Sequence, residues 1–262
     1  MILGIDFGIS TTDIVVVKKD KIVKAVHIEA GIPLASALRK KGIDVNKVDE
    51  IAITGGNHSL KKILGKRFSK VDEINAIGFG GASLSKAKSA LVVSMGTGTC
   101  MVSFKNGKTK HVGGTGLGGG TILGLSKRLI GTTNIKSLSK LALTGKKEKV
   151  DLSVKEAIGS GIGIIPGNAT ASNFAKAGGS KKDIAFGIQE MVAEANAVMV
   201  ALAAKQTGHK RIVFIGKTPS FPVVKKTLKK VLRYYKLSAE FPKHAEYATA
   251  IGAVEFKRKC VK

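Results

Sequence analysis

Gly4-Ile-Asp-Phe-Gly-Ile-Ser-Thr-Thr12 and Met95-Gly-Thr-Gly-Thr99 decide how this chain folds. Each follows an apolar, β-rich run (residues 2–5 and 91–94), and each is followed by another (14–17 and 100–104). A turn of glycine, serine and threonine between two strands presents backbone N–H groups and hydroxyls with little bulk. That suits a polyphosphate, whose charge must be met by many short donors at close range. A third glycine run, Gly113-Gly-Thr-Gly-Leu-Gly-Gly-Gly-Thr121, leads into a helical pattern. Two strand–turn–strand units and this run predict a nucleotide held between two lobes. The duplication is one of structure, because the sequence has no short-period repeat and no low-complexity tract.

Working outward, residues 22–28 alternate as a strand and 33–41 have helical spacing. A short buried strand at 51–54 runs into Gly55-Gly56. The stretch 72–89 begins with acids and ends with lysines, as a helix dipole prefers. Gly78, Gly80 and Gly81 weaken a continuous helix there. This stretch would join the lobes, and the division is expected as 1–89 and 90–262. Asn106-Gly107 is a hairpin signal. Helices are expected over 121–130, 135–145, 184–207 and 223–235, with a strand at 211–215. The span 159–179, rich in glycine and small residues, is expected to be a substrate or lobe-contact loop.

A chain of 262 residues can bury a large core. No apolar run is long enough to span a membrane, so no membrane partner is expected. Met1-Ile-Leu-Gly-Ile-Asp6 has no basic stretch before its apolar residues and reads as a strand rather than a leader. Cys100 and Cys260 make no disulfide framework, and a cytoplasmic location is expected. The net charge of +26 would suit nucleic acid. The lysines are scattered, however, and aromatic residues at 5% offer few stacking platforms. A lysine-rich surface with general attraction to anions such as ATP accounts for the charge, and a nucleic-acid partner is not expected.

Two motif matches fail on context. Gly114, Gly116 and Gly119 form a G-x-G-x-x-G without the strand–helix–strand setting and downstream acid of a dinucleotide site. Gly216-Lys-Thr218 resembles the end of a P-loop, but Arg211 stands where its first glycine belongs. His27, His58, His209 and His244 have no metal-ligand spacing, nor do the cysteines.

Several further segments share the order of the turns: Thr54-Gly-Gly-Asn57, Val71-Asp-Glu-Ile74, His111-Val-Gly-Gly-Thr-Gly-Leu-Gly-Gly-Gly-Thr-Ile-Leu-Gly-Leu125, Ile165-Pro-Gly-Asn168, Ala171-Ser-Asn-Phe174, Val213-Phe-Ile-Gly216 and Ala250-Ile-Gly-Ala253. Together they resemble the acetate and sugar kinase, heat-shock 70 and actin superfamily, and within it the type II pantothenate kinases. The resemblance implies an α/β fold of two ribonuclease H-like lobes with an ATP cleft between them, the actin-like ATPase fold. It also implies ATP and Mg²⁺ as cofactors, a pantothenate or pantetheine-like alcohol as substrate, and a homodimer. Its contacts would come from residues 72–89 or from the helices after Ile184.

On that resemblance Asp6, ending its strand, holds Mg²⁺ through water against the phosphates; otherwise it caps a turn. Gly8, Ser10, Thr11 and Thr12 supply donors in the first turn, and Gly96, Thr97 and Gly98 in the second. Gly119, Gly120, Thr121, Ile122 and Leu123 line the nucleotide. His111, Gly114, Thr115 and Asn173 meet the substrate. Glu73 is the general base, with Asp72 as the fallback; read from composition alone, Glu73 is an acid at a helix start. The chain departs from the pattern twice: Asp13 stands where the family has a lysine, and Lys110-His111 where it has an arginine. Histidine lacks the arginine fork of donors. A second reading is an ATPase activator like the dehydratase activases, whose first turn is worded much like this one and whose paired cysteines bridge an iron–sulfur cluster. A sugar kinase is a further alternative.

Overall fold

Two five-stranded mixed sheets are built on one plan. The computed structural model describes residues 1–19, 21–29, 32–56 and 64–260, the last without its side chain. Asn57, His58 and the Cys260 side chain lie outside the described residues. In the first sheet, β1 (Ile2–Phe7), β2 (Thr11–Lys18) and β3 (Lys21–Glu29) form an antiparallel meander. β4 (Glu50–Gly55) then joins β1 in parallel, and β5 (Ser69–Lys70) joins β4. In the second, β6 (Ser89–Met95), β7 (Thr99–Lys105) and β8 (Lys108–Thr115) repeat the meander. A small two-stranded ribbon, β9 (Leu152–Ser153) with β10 (Thr170–Ser172), interrupts the second half. The pattern then closes with β11 (Arg211–Ile215) parallel to β6 and β12 (Ser238–Glu240) parallel to β11. This is the doubled ribonuclease H-like architecture of an actin-like ATPase. The β7–β8 turn has Asn106 and Gly107 both at positive φ, 49° and 80°, as its dipeptide requires.

Alternation along the strands sets the layers. Leu3 and Ile5 of β1, with Ile14 and Val16 of β2, pack outward on α1 (Leu34–Lys40). Val15 and Val17 point the other way, onto Ala250, Ile251, Ala253 and Val254 of α8 (Ala248–Cys260). In the second lobe Leu91, Val93, Met95 and Phe214 face four helices: α3 (Gly119–Leu129), α4 (Ile135–Thr144), α6 (Lys181–Thr207) and α7 (Pro222–Tyr234). The short α5 (Val154–Ile158) follows β9. Ala90, Val92, Val102 and Val213 face inward onto α2 (Glu73–Ser85). The middle of the molecule is therefore a helix pair. α2, encoded in the first half, covers the second sheet, and α8, encoded at the end of the chain, covers the first. A division at 89/90 separates each helix from the sheet it covers.

α2 is continuous, against the expectation from its glycines. Packing overrides propensity here. A Cβ at Gly78 would overlap Thr109, at Gly80 the Ala248 carbonyl, and at Gly81 the Val92 side chain. The reciprocal position on α8, Gly252, abuts the Ala76 carbonyl. The two helices cross backbone to backbone. α6 also differs from expectation: by length and composition its 27 residues could cross a membrane, but most of the apolar window is buried as the central helix of the second lobe.

Candidate active site

The three glycine turns meet between the lobes. Within the second turn Gly96 N–H donates to the Gly98 carbonyl (2.9 Å). The third run docks on it: Gly119 N–H donates to the Gly96 carbonyl (2.7 Å) and Gly120 N–H to that of Thr97 (3.0 Å). A Cβ on Gly118 would sit 2.5 Å from the Thr97 carbonyl, so this approach needs glycine. Thr121 Oγ1 donates to the Gly116 carbonyl (3.0 Å) and accepts from Gly118 N–H (3.2 Å), tying the run to the start of α3. The first turn arrives from the other lobe, where Ser10 Oγ lies 3.4 Å from Thr97 Oγ1.

Asp6 and Asp13 are register partners on β1 and β2 and share the inward face. Gly55, at φ 70°, ends β4 beside them, and a Cβ there would lie 2.7 Å from Asp6 Oδ1. Burial pushes the Asp6 carboxyl up to about 7, with the charges of Asp13 and Glu73 adding to the rise and Lys217 opposing it. A hydrated Mg²⁺ fits this place: the glycine leaves the carboxylate room, and the fully buried Thr54, partner of Asp6 on β4, has a hydroxyl with no hydrogen-bond partner among the described residues. One carboxylate with water and phosphate oxygens is an ordinary Mg²⁺ set. A testable consequence follows from the sign of the Asp6 shift. Its folded value of about 7 lies above its ordinary 3.8, so its stabilising contribution is full below the ordinary value and is lost as pH rises through about 7. Asp6→Asn is therefore expected to raise the melting temperature of the ligand-free protein at about pH 8 and to change it little at about pH 4. The same variant should lose the stabilisation that Mg·ATP gives the wild type; thermal melts with and without Mg·ATP check both.

Glu73 is the first residue of α2 and is exposed. Its charge raises both the Asp6 carboxyl of the first lobe and the Cys100 thiol of the second, the latter to about 11 chiefly through burial. Glu73 thus stands between the lobes. Asp72 is the N-cap of α2, its Oδ1 accepting from Ile74 N–H (3.0 Å) and Asn75 N–H (3.3 Å). One oxygen of Asp72, the fallback base, is thus engaged in capping.

The other predicted residues differ in their settings. Thr12 is buried on the face of Ile14 and Val16, opposite Thr11 and Asp13, so its hydroxyl turns away from the cleft. Ile122 is fully buried in the second-lobe core, so its side chain is a core contact, and the half-buried Leu123 packs against that core. The amides of Gly119 and Gly120 already serve the second turn. His111 is exposed on the edge strand β8, opposite Val102. Gly114 and Thr115 lie along the same strand opposite Cys100 and Thr99, and Thr115 Oγ1 donates to Asn196 Oδ1 (2.7 Å). Asn173 belongs to a separate polar group: its Nδ2 lies 3.5 Å from Asp151 Oδ2, while Phe174 N–H donates to Asp151 Oδ1 (2.9 Å).

The cleft also holds residues the motifs did not predict. Gly216, at φ 91°, leaves β11 just as Gly55 leaves β4, and Thr218 Oγ1 donates to the Gly96 carbonyl (2.8 Å). Lys217 crosses to the first lobe, where its ammonium donates to Thr11 Oγ1 and to Asp13 Oδ1 (2.8 Å). Asp13 Oδ1 is also 2.6 Å from His27 Nδ1, and the His27 ring stacks on Tyr247 with centroids 4.3 Å apart. The available signal was the duplication, since a glycine after the fourth strand of one lobe predicts a cleft-lining turn after the fourth strand of the other.

The sequence model of the Fumble family matches residues 16–255. A type II pantothenate kinase of Bacillus cereus is 32% identical over 186 residues, 66% of this chain and 68% of that protein. Among solved structures, the (R)-2-hydroxyglutaryl-CoA dehydratase component A of Acidaminococcus fermentans superposes with a TM-score of 0.68 at 17% identity, covering 99% of this chain and 98% of that one. A ROK family glucokinase of Streptomyces griseus, solved with glucose and AMPPNP, gives 0.63 at 12% identity, covering 98% and 99%. These two structural likenesses carry the fold alone.

Proposed function

We propose a function from one premise, that the chain belongs to the Fumble family, the type II pantothenate kinases: it transfers the γ-phosphoryl group of ATP to the primary hydroxyl of pantothenate, a step of coenzyme A synthesis. The observation that carries this is the meeting of all three glycine turns across the lobes with Glu73 at their edge. In the reaction Glu73 takes the hydroxyl proton as the oxygen attacks the γ-phosphorus. The bond from that phosphorus to the β–γ bridging oxygen breaks, and ADP leaves. The turns of Gly8–Thr11 and Gly96–Gly98 orient the phosphates through backbone and hydroxyl donors, so positioning and electrostatics dominate. Asp6 would hold Mg²⁺, which supplies charge neutralisation on the phosphates. His111, Gly114 and Thr115 on β8 would meet the acceptor, and Asn173 would have to approach it from its own polar group.

We place the enzyme in the cytoplasm as a homodimer. α2 is enclosed between the lobes, and among the helices after Ile184 the contact is supported at α6, whose Val198, Met199 and Leu202 are 37%, 42% and 54% exposed at helical spacing. ATP consumption measured against pantothenate, pantetheine, simple sugars, N-acetylhexosamines and buffer alone tests the function. Consumption specific to pantothenate is expected. Specificity for a sugar would replace the acceptor, and acceptor-independent hydrolysis would favour an ATPase activator.

A further inference from the structure

We propose that Lys217 is the phosphate-holding cation of this enzyme, delivered from the second lobe to a nucleotide site whose own turns carry none. The inference rests on the ATP-binding reading above and identifies the residue that makes the site electrostatically workable.

The sequence poses the problem. The chain has 44 lysines and arginines, yet residues 2–17, 89–104 and 111–126, which contain the three turns with their flanking strands, include no lysine or arginine. The carboxylates of Asp6, Asp13 and Glu73 gather there. A nucleotide triphosphate brings several more negative charges. At close range and partly out of water, such an assembly is repulsive unless a cation is present. Mg²⁺ offsets part of that repulsion, but charge-assisted donors to the phosphate oxygens are the usual complement.

Among the described residues, Lys217 brings an ammonium to this cleft. Lys217 Nζ lies 2.8 Å from Asp13 Oδ1 and bonds Thr11 Oγ1, and its field acts on Asp6. An ammonium has three donors, and these two partners leave one for a ligand. The Lys217 side chain is 37% exposed while that of Asp13 is only 11% exposed, so the cation, not its partner, faces the cleft. Asp13 is held independently: the same oxygen is met by His27, which is stacked on Tyr247. Its position does not depend on Lys217. Gly216 permits the sharp exit from β11, since a Cβ there would overlap the Met95 carbonyl, and the Thr218 hydroxyl pins the next residue to the second turn. Lys217 is thus presented by two fixed neighbours at the phosphate end of the cleft. In the ligand-free protein it rests on Asp13 and Thr11; with ATP bound it turns its charge to the terminal phosphate.

The test compares two substitutions by calorimetric ATP and ADP binding with Mg²⁺, alongside melting temperatures. Lys217→Met keeps the alkyl chain and removes the charge. It should weaken ATP binding by ~10–100-fold, the range of a lost charge-assisted hydrogen bond, and weaken ADP binding less. Asp13→Asn removes the resting partner and a negative charge near the phosphates, so ATP binding should stay equal or tighten. A purely structural ion pair predicts the reverse: both variants lower the melting temperature alike and neither changes the ATP-to-ADP preference. That result overturns the proposal, as does equal weakening of ATP by both. If Lys217→Met does not fold, Lys217→Arg takes its place. It keeps the charge and should retain ATP binding within a few-fold, whereas a loss of the size expected for Lys217→Met would count against a phosphate role. Wild-type protein that binds no ATP ends both readings. Wild-type protein that binds ATP but spares pantothenate ends only the assigned reaction.

Discussion

Glu73→Gln should bind ATP with near wild-type affinity and turn over pantothenate ~10²–10⁴-fold more slowly, the range for loss of general-base help. The expectation rests on position. Glu73 occupies the first turn of α2, exposed, with its field reaching Asp6 in one lobe and Cys100 in the other. Glutamine keeps the shape and loses the proton acceptor. Its effect on stability is small, because the helix dipole gives such an acid only ~0.3–1 kcal/mol and Asp72 still caps the helix. Initial rates of ADP release at saturating ATP, with a parallel melt, separate the two effects. Turnover within a few-fold of wild type would remove Glu73 from the chemistry. The same loss accompanied by a large drop in melting temperature would make it a structural residue.

The largest stability effect should come from Gly252→Ala. Helix propensity alone favours this change by ~1 kcal/mol. Packing opposes it, because the new Cβ would overlap the Ala76 carbonyl and stand 2.6 Å from Gly80 N. Backbone cannot rotate away as a side chain can, so α2 and α8 must separate and carry their sheets with them. Overpacking costs ~1–3 kcal/mol and more where nothing yields. At ~2–4 °C per kcal/mol for a chain of this size, a fall of roughly 10 °C is expected. Gly80→Ala should act alike, and the double variant should cost less than the sum, because both substitutions open one crossing. A melting temperature above wild type would mean that propensity prevails and the helices do not touch backbone to backbone.

What could be read in advance divides by range. The glycine turns, the Asn106-Gly107 hairpin and the strand at Arg211–Ile215 are local signals, and each stands where its residues predicted. The continuity of α2 was hidden, because glycine at 78, 80 and 81 means weakness in isolation and close fit only when Thr109, Ala248 and Val92 are known to face it. Ile122 follows the glycine run expected to line the nucleotide, yet a helix turning inward gives one of its residues to the core. Lys217 was hardest to place. It lies 204 residues from Asp13, and its sequence neighbours suggest a P-loop that does not exist. Only the topology, which sets β11 beside β6 and so beside the second turn, brings Lys217 across to Thr11 and Asp13 of the first.

The exchange of α2 and α8 between the halves bears on how the protein is made. During synthesis the first sheet leaves the ribosome with its inward face bare, because Ala250, Ile251, Ala253 and Val254 are translated only after the whole second sheet. α2 emerges early, before the strands it is to cover. Neither lobe can finish folding on the ribosome as an autonomous unit. Completion waits for α8, which closes the nascent first half and the newly made second half in a single event. Removal of α8 would therefore strip the cover from the oldest part of the molecule rather than trim its newest.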